Sequence, residues 1–324
     1  MIKVGIVGYG NLGRGVCLAV EKAPDMQCVG VFTRRDPSAV KPITGVKTYS
    51  VNDLEKFKGE IDVLLLCGGS ATDLPNNTAN LLKDFNTVDS FDTHAKIPEY
   101  YAKLEKVAKE NGKLGAISIG WDPGLFSIAR MLFGAVLPDG KDYTFWGKGV
   151  SQGHSDALRR IQGVKNAIQY TIPKEQALER VRAGENPELS TRDKHLRECF
   201  VALEDGASKE KIEQEIKSMP NYFADYDTIV NFVSNEEVLE MQKKLSHGGF
   251  VFRSGNTTED SAHLLELSLK LDSNPEFTGS VLTAYGRAVA RLAKEGKTGV
   301  VTVFDLPISY LSPLSGEELR KTLL

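Results

Sequence analysis

Short apolar runs alternate with longer amphipathic segments along roughly the first 120 residues of the chain. The apolar runs have the length of buried strands, and they read IKVGIVG, CVGVFT, IDVLLLCG, TVDSFD and KLGAISIG. The amphipathic segments favour helices, and they read LGRGVCLAVEKA, VNDLEKF, TANLLKDF and PEYYAKLEKVAKENG. The run IDVLLLCG is apolar on both faces, which is typical of a parallel sheet covered on each side. The pattern predicts an α/β domain with a doubly wound parallel sheet.

The pattern changes after the segment GWDPG at residues 120–124. YTFWGKGV and VNFVS predict antiparallel strands, and the polar segments KEQALERVRAG and KEKIEQEIKSM predict helices between them. GENPELSTRDKH has the composition of a loop, and SVLTAYGRAVARLAKEG predicts a long helix before a last strand, GVVTVFDL. We therefore predict a first domain at residues 1–121, rejoined by residues 278–324, and a second, α+β domain at residues 122–277.

Composition excludes several classes of protein. The 324 residues suit two domains, and the net charge of −3 without a basic block argues against nucleic-acid binding. The longest apolar run is too short to span a bilayer, and the sequence enters a strand pattern at once, without a signal peptide. The four cysteines form no C-x-x-C pair and the five histidines have no ligand spacing, so we expect reduced thiols, a cytoplasmic location and no metal.

A phosphate-binding loop is predicted between the first strand and the first helix. Gly8-Tyr9-Gly10-Asn11-Leu12-Gly13 is a G-x-G-x-x-G motif in this strand–turn–helix context, which makes it far more specific than the motif alone. Its glycines allow a tight turn, close approach of a pyrophosphate and helix–strand packing. The alternative, a glycine-rich turn without a ligand, is much less favoured. We predict a dinucleotide-binding domain of the Rossmann type.

The end of the second strand predicts which dinucleotide binds. An NAD site normally has an acidic residue there, for the ribose 2′-hydroxyl. This strand ends in Thr33-Arg34-Arg35 instead, and guanidinium groups pair with a 2′-phosphate. The residues favour NADP over NAD, with a solvated basic turn as the weaker alternative.

Two carboxylates follow neighbouring strands, at the edge of the sheet where α/β proteins bind ligands. Asp92 lies in VDSFDTH and Asp122 in SIGWDPG. Two acids beside a nicotinamide suggest a cationic substrate group, such as an ammonium. Asp122-Pro123 is equally consistent with an ordinary helix cap followed by a first-turn proline, and Asp92 with a turn residue. Ser70 to Asp73, after a third strand, offers small and hydroxyl residues that could pass close to a cofactor.

The second domain has fewer clear signals. Ser151, His154 and Asp156 are close in sequence, but catalytic triads are assembled in space, and Ser155 and Asp156 more simply start a helix. Trp146 is a candidate for a pocket, while Arg197 and His247 are surface or structural residues by default.

Several blocks resemble the meso-diaminopimelate dehydrogenase family nearly end to end. They are VGYGNLGRG, FTRRDP, CGGSATDLP, DSFDTHAKIP, GWDPGLFS, TFWGKGVSQGHSDALRRIQGVKNAIQYT, SHGGF and LKLDSNPEFT, of which GWDPG and SQGHSDALRR are the most specific. The resemblance implies an oxidoreductase acting on CH–NH2 groups that uses NADP+ to deaminate meso-2,6-diaminopimelate at its D-centre. It also implies a role in lysine biosynthesis, and a homodimer with its substrate and dimer contacts in the second domain.

The resemblance implies residue roles, position by position. The acids Asp92 and Asp122 match the D-amino-acid end of the substrate and are the candidate catalytic residues. The other substrate contacts implied are Trp146, Gln152, Gly153, Thr171, Arg197, His247 and Asn274. The cofactor contacts implied are Gly8, Tyr9, Gly10, Asn11, Leu12, Gly13, Thr33, Arg34, Arg35, Ser70, Ala71, Thr72, Ser90, Phe91, Asp92, Trp121, Asp122, Pro123, Gly124 and Leu125.

One segment departs from the family pattern. EVLEMQKKLSHGG stands where a Thr-Gly-Met-Pro run usually precedes the histidine, although His247 is kept. Two other functions remain open from the residues: another NADP-dependent semialdehyde or dihydropyridine reductase, and a sensor that binds NADP(H) without turnover. The paired acids argue against the sensor, which needs no ammonium site.

Overall fold

The computed structural model describes residues 1–324. Its strands are β1 (Ile2–Val7), β2 (Met26–Thr33), β3 (Thr48–Ser50), β4 (Val63–Leu66), β5 (Thr87–Asp89), β6 (Leu114–Ala116), β7 (Gly140–Trp146), β8 (Gly149–Val150), β9 (Val164–Pro173), β10 (His195–Leu203), β11 (Asp227–Phe232), β12 (His247–Thr258), β13 (Ser261–Leu271) and β14 (Gly299–Val301). Its α-helices are α1 (Asn11–Glu21), α2 (Asp73–Leu81), α3 (Ile97–Glu110), α4 (Leu125–Val136), α5 (Gln152–Arg159), α6 (Glu175–Arg182), α7 (Thr191–Lys194), α8 (Lys209–Ser218), α9 (Asn235–Met241), α10 (Asn274–Lys294) and α11 (Gly316–Leu323). Short 3₁₀ helices span Pro37–Ala39, Val51–Phe57, His94–Lys96 and Ile308–Leu311.

The chain divides into two compact units. Unit 1 contains Met1–Ile128 and Pro275–Leu324, and unit 2 contains Ala129–Asn274. The α/β class with a second α+β unit, predicted from the alternating pattern, is confirmed.

Unit 1 is built on a seven-stranded sheet in the order β14-β6-β5-β4-β1-β2-β3, in which every pairing is parallel. The order 3-2-1-4-5-6 is that of a dinucleotide-binding fold, with β14 added at one edge. Parallel strands place their carboxyl ends along one edge of the sheet. The residues after β1, β2, β4, β5 and β6 therefore lie at that edge.

Both faces of the unit 1 sheet are buried. Leu65 packs into one core cluster with Val16 of α1 and Tyr285 of α10. Its neighbours Leu64 and Leu66 pack into the other cluster, with Leu104 of α3. This arrangement explains why β4 reads as an unbroken apolar run, since each face needs its own apolar side chains.

Unit 2 contains two smaller sheets. One has the order β11-β10-β9-β8 and the other the order β13-β12-β7. The prediction that VNFVS forms an antiparallel strand is wrong, because β11 pairs parallel with β10. The longest strand pair, β12 with β13, was not predicted, and it is an antiparallel hairpin in which His247 lies opposite Leu271. Residues 265–271 of β13 alternate between leucine and a polar residue, and the leucines are the less exposed, so the segment carries a strand pattern that the prediction missed.

Candidate functional site

The loop after β1 adopts the geometry that its glycines suggest. Gly8 has a φ of +94°, in the left-handed region that favours glycine. A Cβ on Gly13 would lie 2.2 Å from the Gly8 carbonyl oxygen, so this position admits no side chain. A Cβ on Gly10 would meet no atom within 4 Å, which leaves open space in front of α1. No side chain caps α1, and its first N–H groups are therefore available to a phosphate.

A cavity of about 440 Å³ adjoins this loop in unit 1. It is lined by the phosphate loop, the end of β2, the end of β4 and one face of α2. The lining residues are Val7, Gly8, Tyr9, Gly10, Phe32, Thr33, Arg34, Arg35, Val51, Leu66, Cys67, Gly68, Asp73, Leu74, Asn77, Thr78, Asn80 and Leu81. The volume lies within the range of small-ligand sites. The residues fit the adenosine half of a dinucleotide, with apolar walls and two guanidinium groups at the rim.

The two arginines of the cavity make different contacts. Arg34 forms an ion pair of 2.7 Å with Asp73, the first residue of α2, and its side chain is 69% exposed. Arg35 donates from its guanidinium to the Tyr9 carbonyl, and its backbone N–H donates to the buried hydroxyl of Thr33 at 3.1 Å. The guanidinium of Arg35 is thereby held against the phosphate loop, and that of Arg34 against α2. Neither group is buried, so both have room to contact a 2′-phosphate.

Ser70 connects this side of the sheet to the first candidate acid. Its hydroxyl accepts a hydrogen bond of 3.1 Å from the backbone N–H of Asp92. Asp92 is exposed, and it follows Ser90 and the buried Phe91 after β5. Ala71 and Thr72 lie on the turn that leads into α2. The structure therefore brings the segments 70–72 and 90–92 together.

Asp122 lies in a tight turn after β6. The turn is closed by a bridge between Trp121 and Gly124 and by a hydrogen bond of 3.1 Å from the Leu125 N–H to the Gly120 carbonyl. Gly124 has a φ of +136°, and a Cβ there would lie 1.7 Å from the Gly120 oxygen. Because α4 begins at Leu125, Pro123 is not its first residue, and the helix-cap interpretation of Asp122-Pro123 is wrong. Asp122 is half-buried in this turn.

Unit 2 holds a buried cation. Arg197 of β10 is 7% exposed, and its guanidinium donates to the hydroxyl of Thr171, directly opposite on β9. The guanidinium carbon lies 3.9 Å from the ring centroid of Tyr226, in a cation–π contact. Arg197 makes no ion pair, and its Nε has no hydrogen-bond partner. Burial lowers the pKa of this guanidinium.

An unpaired buried guanidinium is costly unless an anion binds to it. Because Arg197 can present a planar pair of N–H donors, a carboxylate is a fitting anion. We refer to Arg197, Thr171 and His247 as the Arg197 cluster.

His247 joins the Arg197 cluster through β8. A Cβ on Gly149 would lie 2.3 Å from the His247 ring, so this glycine lets the imidazole pack on the strand. Gly149 is in turn paired with Thr171. The backbone N–H of Asn274 donates to the Leu245 carbonyl at 2.8 Å, which ties Asn274 to the segment just before His247.

Gln152, Gly153 and His154 lie on the first turn of α5. This helix begins at Gln152, three residues earlier than predicted from Ser155. His154 Nδ1 lies 2.7 Å from the Ser151 hydroxyl, while Asp156 forms an ion pair with Arg159 instead. Burial, and secondly the charge of Arg197, lower the pKa of His154 to about 4. Asp156 does not orient His154, and the three residues form no triad.

Trp146 lies at the end of β7 and is 37% exposed. Its ring stacks on His195, with centroids 5.4 Å apart, and its backbone N–H donates to His195 Nε2 at 2.9 Å. Burial lowers the pKa of His195 to about 3, so the ring is neutral and can accept this bond. No role was predicted for His195, which contacts Trp146, or for Tyr226, which contacts Arg197. Both contacts join residues that are far apart in the chain, so no local sequence pattern indicates them.

The structure contains no group of three or more His, Cys, Asp and Glu side chains placed to hold a metal ion. None of its helices has the length and apolarity needed to cross a membrane.

All four cysteines are free. Burial raises the pKa of Cys17 to about 11, and it also raises the pKa of Cys67, which lines the cavity. Neither thiol is therefore a ready nucleophile.

Known proteins resemble the chain over its whole length. A family model described as the diaminopimelic acid dehydrogenase C-terminal domain matches residues 120–273. A meso-diaminopimelate D-dehydrogenase of Ureibacillus thermosphaericus is 59% identical over 323 residues, which cover 100% of this chain and 99% of the relative.

Solved structures give the same result. A DAP dehydrogenase of C. glutamicum in complex with DAP is 43% identical, with a TM-score of 0.92 and coverage of 100% of this chain and 99% of that one. An engineered D-amino acid dehydrogenase bound to NADP+ is 41% identical, with a TM-score of 0.87 and the same coverage of 100% and 99%.

Proposed function

The chain belongs to the meso-diaminopimelate D-dehydrogenase family, and we propose that it deaminates meso-2,6-diaminopimelate oxidatively at the D-centre with NADP+. The products are L-2-amino-6-oxopimelate, ammonia and NADPH. The reverse reaction, a reductive amination, serves lysine biosynthesis. One observation in the structure carries the proposal: the guanidinium of Arg197 is buried without an ion pair and is suited to a substrate carboxylate.

NADP+ is proposed as the cofactor because of the groups around the cavity in unit 1. Its pyrophosphate binds the N–H groups at the start of α1, and its 2′-phosphate binds Arg34 and Arg35. The preference over NAD+ follows from the end of β2, which has no carboxylate where an NAD site would need one. When bound, the nicotinamide accepts the hydride that leaves the α-carbon of the substrate.

The two acids handle the reacting nitrogen. The substrate ammonium must lose a proton before hydride leaves, and Asp122 is the proposed acceptor, with Asp92 in a supporting role. Loss of hydride from the neutral amine gives a protonated imine, which carries the positive charge. Water then adds to the imine carbon, and ammonia leaves to give the ketone. Asp92 and Asp122 hold the nitrogen through these steps.

The residues of unit 2 select the substrate by its distal, L-configured end. Arg197 holds the distal carboxylate, and Thr171, His247 and Asn274 complete its hydrogen bonds. Trp146, Gln152 and Gly153 line the pocket. A shorter D-amino acid would leave these polar groups unpaired, and each unpaired group costs about 1–3 kcal/mol.

A homodimer in the cytoplasm is part of the proposal and rests on the family resemblance. Exposed apolar side chains on α4, at Met131, Leu132 and Val136, are 49–58% exposed and are suited to a protein contact. Sedimentation of the wild-type protein and of Leu132→Glu tests this: we expect a dimer that the substitution weakens.

The proposed activity is tested by following NADPH formation from NADP+ and meso-diaminopimelate. Production of L-2-amino-6-oxopimelate and ammonia with NADPH in equal amounts supports the proposal. Reduction of a semialdehyde or dihydropyridine, without any reaction of meso-diaminopimelate, contradicts it.

A further inference from the structure

Asp89 is a buried carboxylate at the end of β5 that the proposed reaction does not use. It has no exposed surface and makes no ion pair. Its Oδ1 accepts hydrogen bonds from the backbone N–H groups of Phe91, at 3.0 Å, and Ser118, at 3.2 Å. Its Oδ2 accepts one from the Tyr100 hydroxyl at 2.8 Å. Three donors in the protein's interior therefore depend on one side chain.

The two N–H groups belong to the two segments that carry the candidate acids. Phe91 directly precedes Asp92, and Ser118 lies four residues before Asp122. The carbonyl of Asp89 also accepts from the Ile119 N–H at 2.9 Å. Asp89 thus ties the segment after β5 to the segment after β6 by two bonds, from Ser118 and Ile119, while the bond from Phe91 orders the segment after β5.

Ser118 adopts an unusual conformation at this junction. Its φ of +58° lies in the left-handed region, which is disfavoured for a residue with a Cβ. Its hydroxyl is buried and has no partner, so the side chain does not fix this conformation. The backbone N–H of Ser118 is bonded to Asp89 instead.

Tyr100 extends the connection toward the cofactor cavity. Its hydroxyl lies 2.8 Å from Thr78 Oγ1, and Thr78 lines the cavity on α2. Since the tyrosine has one hydroxyl proton and donates it to Asp89, Thr78 donates to Tyr100. The Tyr100 ring also stacks on Phe91, with centroids 4.2 Å apart.

Burial raises the pKa of Asp89 to about 6, and the bonds from Phe91, Tyr100 and Ser118 act in the opposite direction. Near neutral pH the group is therefore ionised, and both of its oxygens act as acceptors. The ionised carboxylate can accept all three hydrogen bonds, from Phe91, Ser118 and Tyr100.

We infer that Asp89 is a positioning residue: its carboxylate fixes the backbone segments that carry Asp92 and Asp122, without contacting substrate or cofactor. The inference rests on the proposed roles of those two acids. An error in their position slows proton transfer more than it weakens binding, because proton transfer depends on near-contact geometry.

The test compares Asp89→Ala, Asp89→Asn and Asp62→Ala in the deamination of meso-diaminopimelate. Asparagine keeps one oxygen for the N–H groups of Phe91 and Ser118, whereas alanine keeps none. Asp62 is a matched control, since its carboxylate accepts the Lys3 N–H at 2.7 Å beside the amino end of β4, at the opposite edge of the sheet.

We expect Asp89→Ala to lower kcat by about 30-fold or more, with the KM for NADP+ changed less than about threefold. Asp89→Asn should restore kcat to within about fivefold of the wild type, and Asp62→Ala should leave it unchanged. A wild-type kcat in Asp89→Ala would overturn the inference. A loss of kcat that Asp89→Asn does not restore would also overturn it.

A second readout needs no turnover. Amide hydrogen exchange in residues 90–92 and 117–122 should be about tenfold faster in Asp89→Ala than in Asp62→Ala. If Asp89→Ala does not fold, Tyr100→Phe takes its place, and it should show a smaller increase in exchange in the same segments. Unchanged exchange contradicts the inference. The wild-type protein could fail to oxidise meso-diaminopimelate while exchange is still faster in Asp89→Ala. That result would contradict the proposed function and support the role of Asp89 in fixing the two backbone segments.

Discussion

Arg34 and Asp73 form an ion pair of 2.7 Å across the cavity in unit 1, between the end of β2 and the start of α2. Because the Arg34 side chain is 69% exposed, this pair contributes little to stability. The guanidinium can turn from Asp73 to a phosphate at low cost. The ion pair with Asp73 therefore does not prevent Arg34 from binding a phosphate at the rim of the cavity.

Removing the charges of Arg34 and Arg35 should change cofactor preference. Substituting both with serine should raise the KM for NADP+ by about 100-fold and that for NAD+ by less than about threefold, since charge-assisted bonds to the 2′-phosphate are lost. Steady-state kinetics with both cofactors measures this. Arg320→Ser, on the exposed face of α11, serves as the control. Equal effects on the two cofactors contradict the assignment of the arginines.

Two glycines of the phosphate loop should respond differently to alanine. Gly13→Ala places a Cβ 2.2 Å from the Gly8 oxygen, so it should lower the free energy of unfolding by about 2 kcal/mol or more. Gly10→Ala meets no atom within 4 Å, so it should change stability by less than about 1 kcal/mol while weakening NADPH binding. Thermal unfolding and NADPH fluorescence titration separate these effects. Equal loss of stability in both variants would show that the loop geometry is misassigned.

Arg197→Met should separate substrate binding from folding. The substitution removes the proposed anchor for a carboxylate, so kcat/KM for meso-diaminopimelate should fall by about 100-fold or more. NADPH affinity should not change. The free energy of unfolding should stay level or rise, because a buried unpaired charge is lost.

The control for this substitution is Arg192→Met. Arg192 is half-exposed and pairs with Asp227 at 2.9 Å, so its loss should leave kcat/KM near the wild-type value. An Arg197→Met variant that keeps its activity toward meso-diaminopimelate would remove Arg197 from the substrate site.

Asp122→Asn tests the proton acceptor. The amide keeps the size of the side chain but cannot take up a proton, so kcat for deamination should fall by about 100-fold or more. Asp92→Asn should have a smaller effect. Asp36→Asn is the control, since Asp36 caps the 3₁₀ helix at Pro37–Ala39. Near-normal kcat in Asp122→Asn would exclude this acid from the proton-transfer role.

Acid should destabilise unit 2 through its buried histidines. The pKa of His154 is lowered to about 4 and that of His195 to about 3, against 6.5 in an unfolded chain. The folded state therefore binds fewer protons below pH 6.5, and stability should fall as the pH drops from 6.5 to about 4. Each histidine contributes up to about 1.4 kcal/mol per pH unit in this window.

His195→Gln tests this dependence, because glutamine can still accept the Trp146 N–H. The variant should lose less stability than the wild type between pH 6.5 and 4, as measured by urea unfolding. His263→Gln changes an exposed histidine and should match the wild type. A wild-type slope in His195→Gln would show that this ring is protonated in the folded protein.

The sequence predicted unit 1 better than unit 2, and the reason is physical. Strands of a parallel sheet are buried on both faces, so β1 and β4 stand out as continuous apolar runs. In unit 2, β8 is two residues long and β11 is only partly buried, so neither forms such a run. The parallel pairing of β11 with β10 leaves no local trace in the sequence.

The candidate site residues also differ in whether a local sequence pattern or a long-range contact defines them. The phosphate loop is local, so the spacing of Gly8, Gly10 and Gly13, together with the strand before them and the helix after them, was enough to predict it. Arg197 was assigned only by family resemblance, because its burial beside Tyr226 depends on residues far apart in the chain. Asp89 lies three residues before Asp92 and was not predicted, since nothing in the sequence shows that one carboxylate accepts N–H groups from two segments.

The most direct test of the proposed function is a comparison of the diaminopimelate isomers with NADP+. The purified protein is incubated with the meso, LL or DD isomer, and NADPH is followed by its absorbance. We expect rapid reduction of NADP+ with the meso isomer, none with the LL isomer, which lacks a D-centre, and slow reduction with the DD isomer, whose distal end has the wrong configuration. Equal rates with the meso and LL isomers, or no reaction with the meso isomer, would contradict the account.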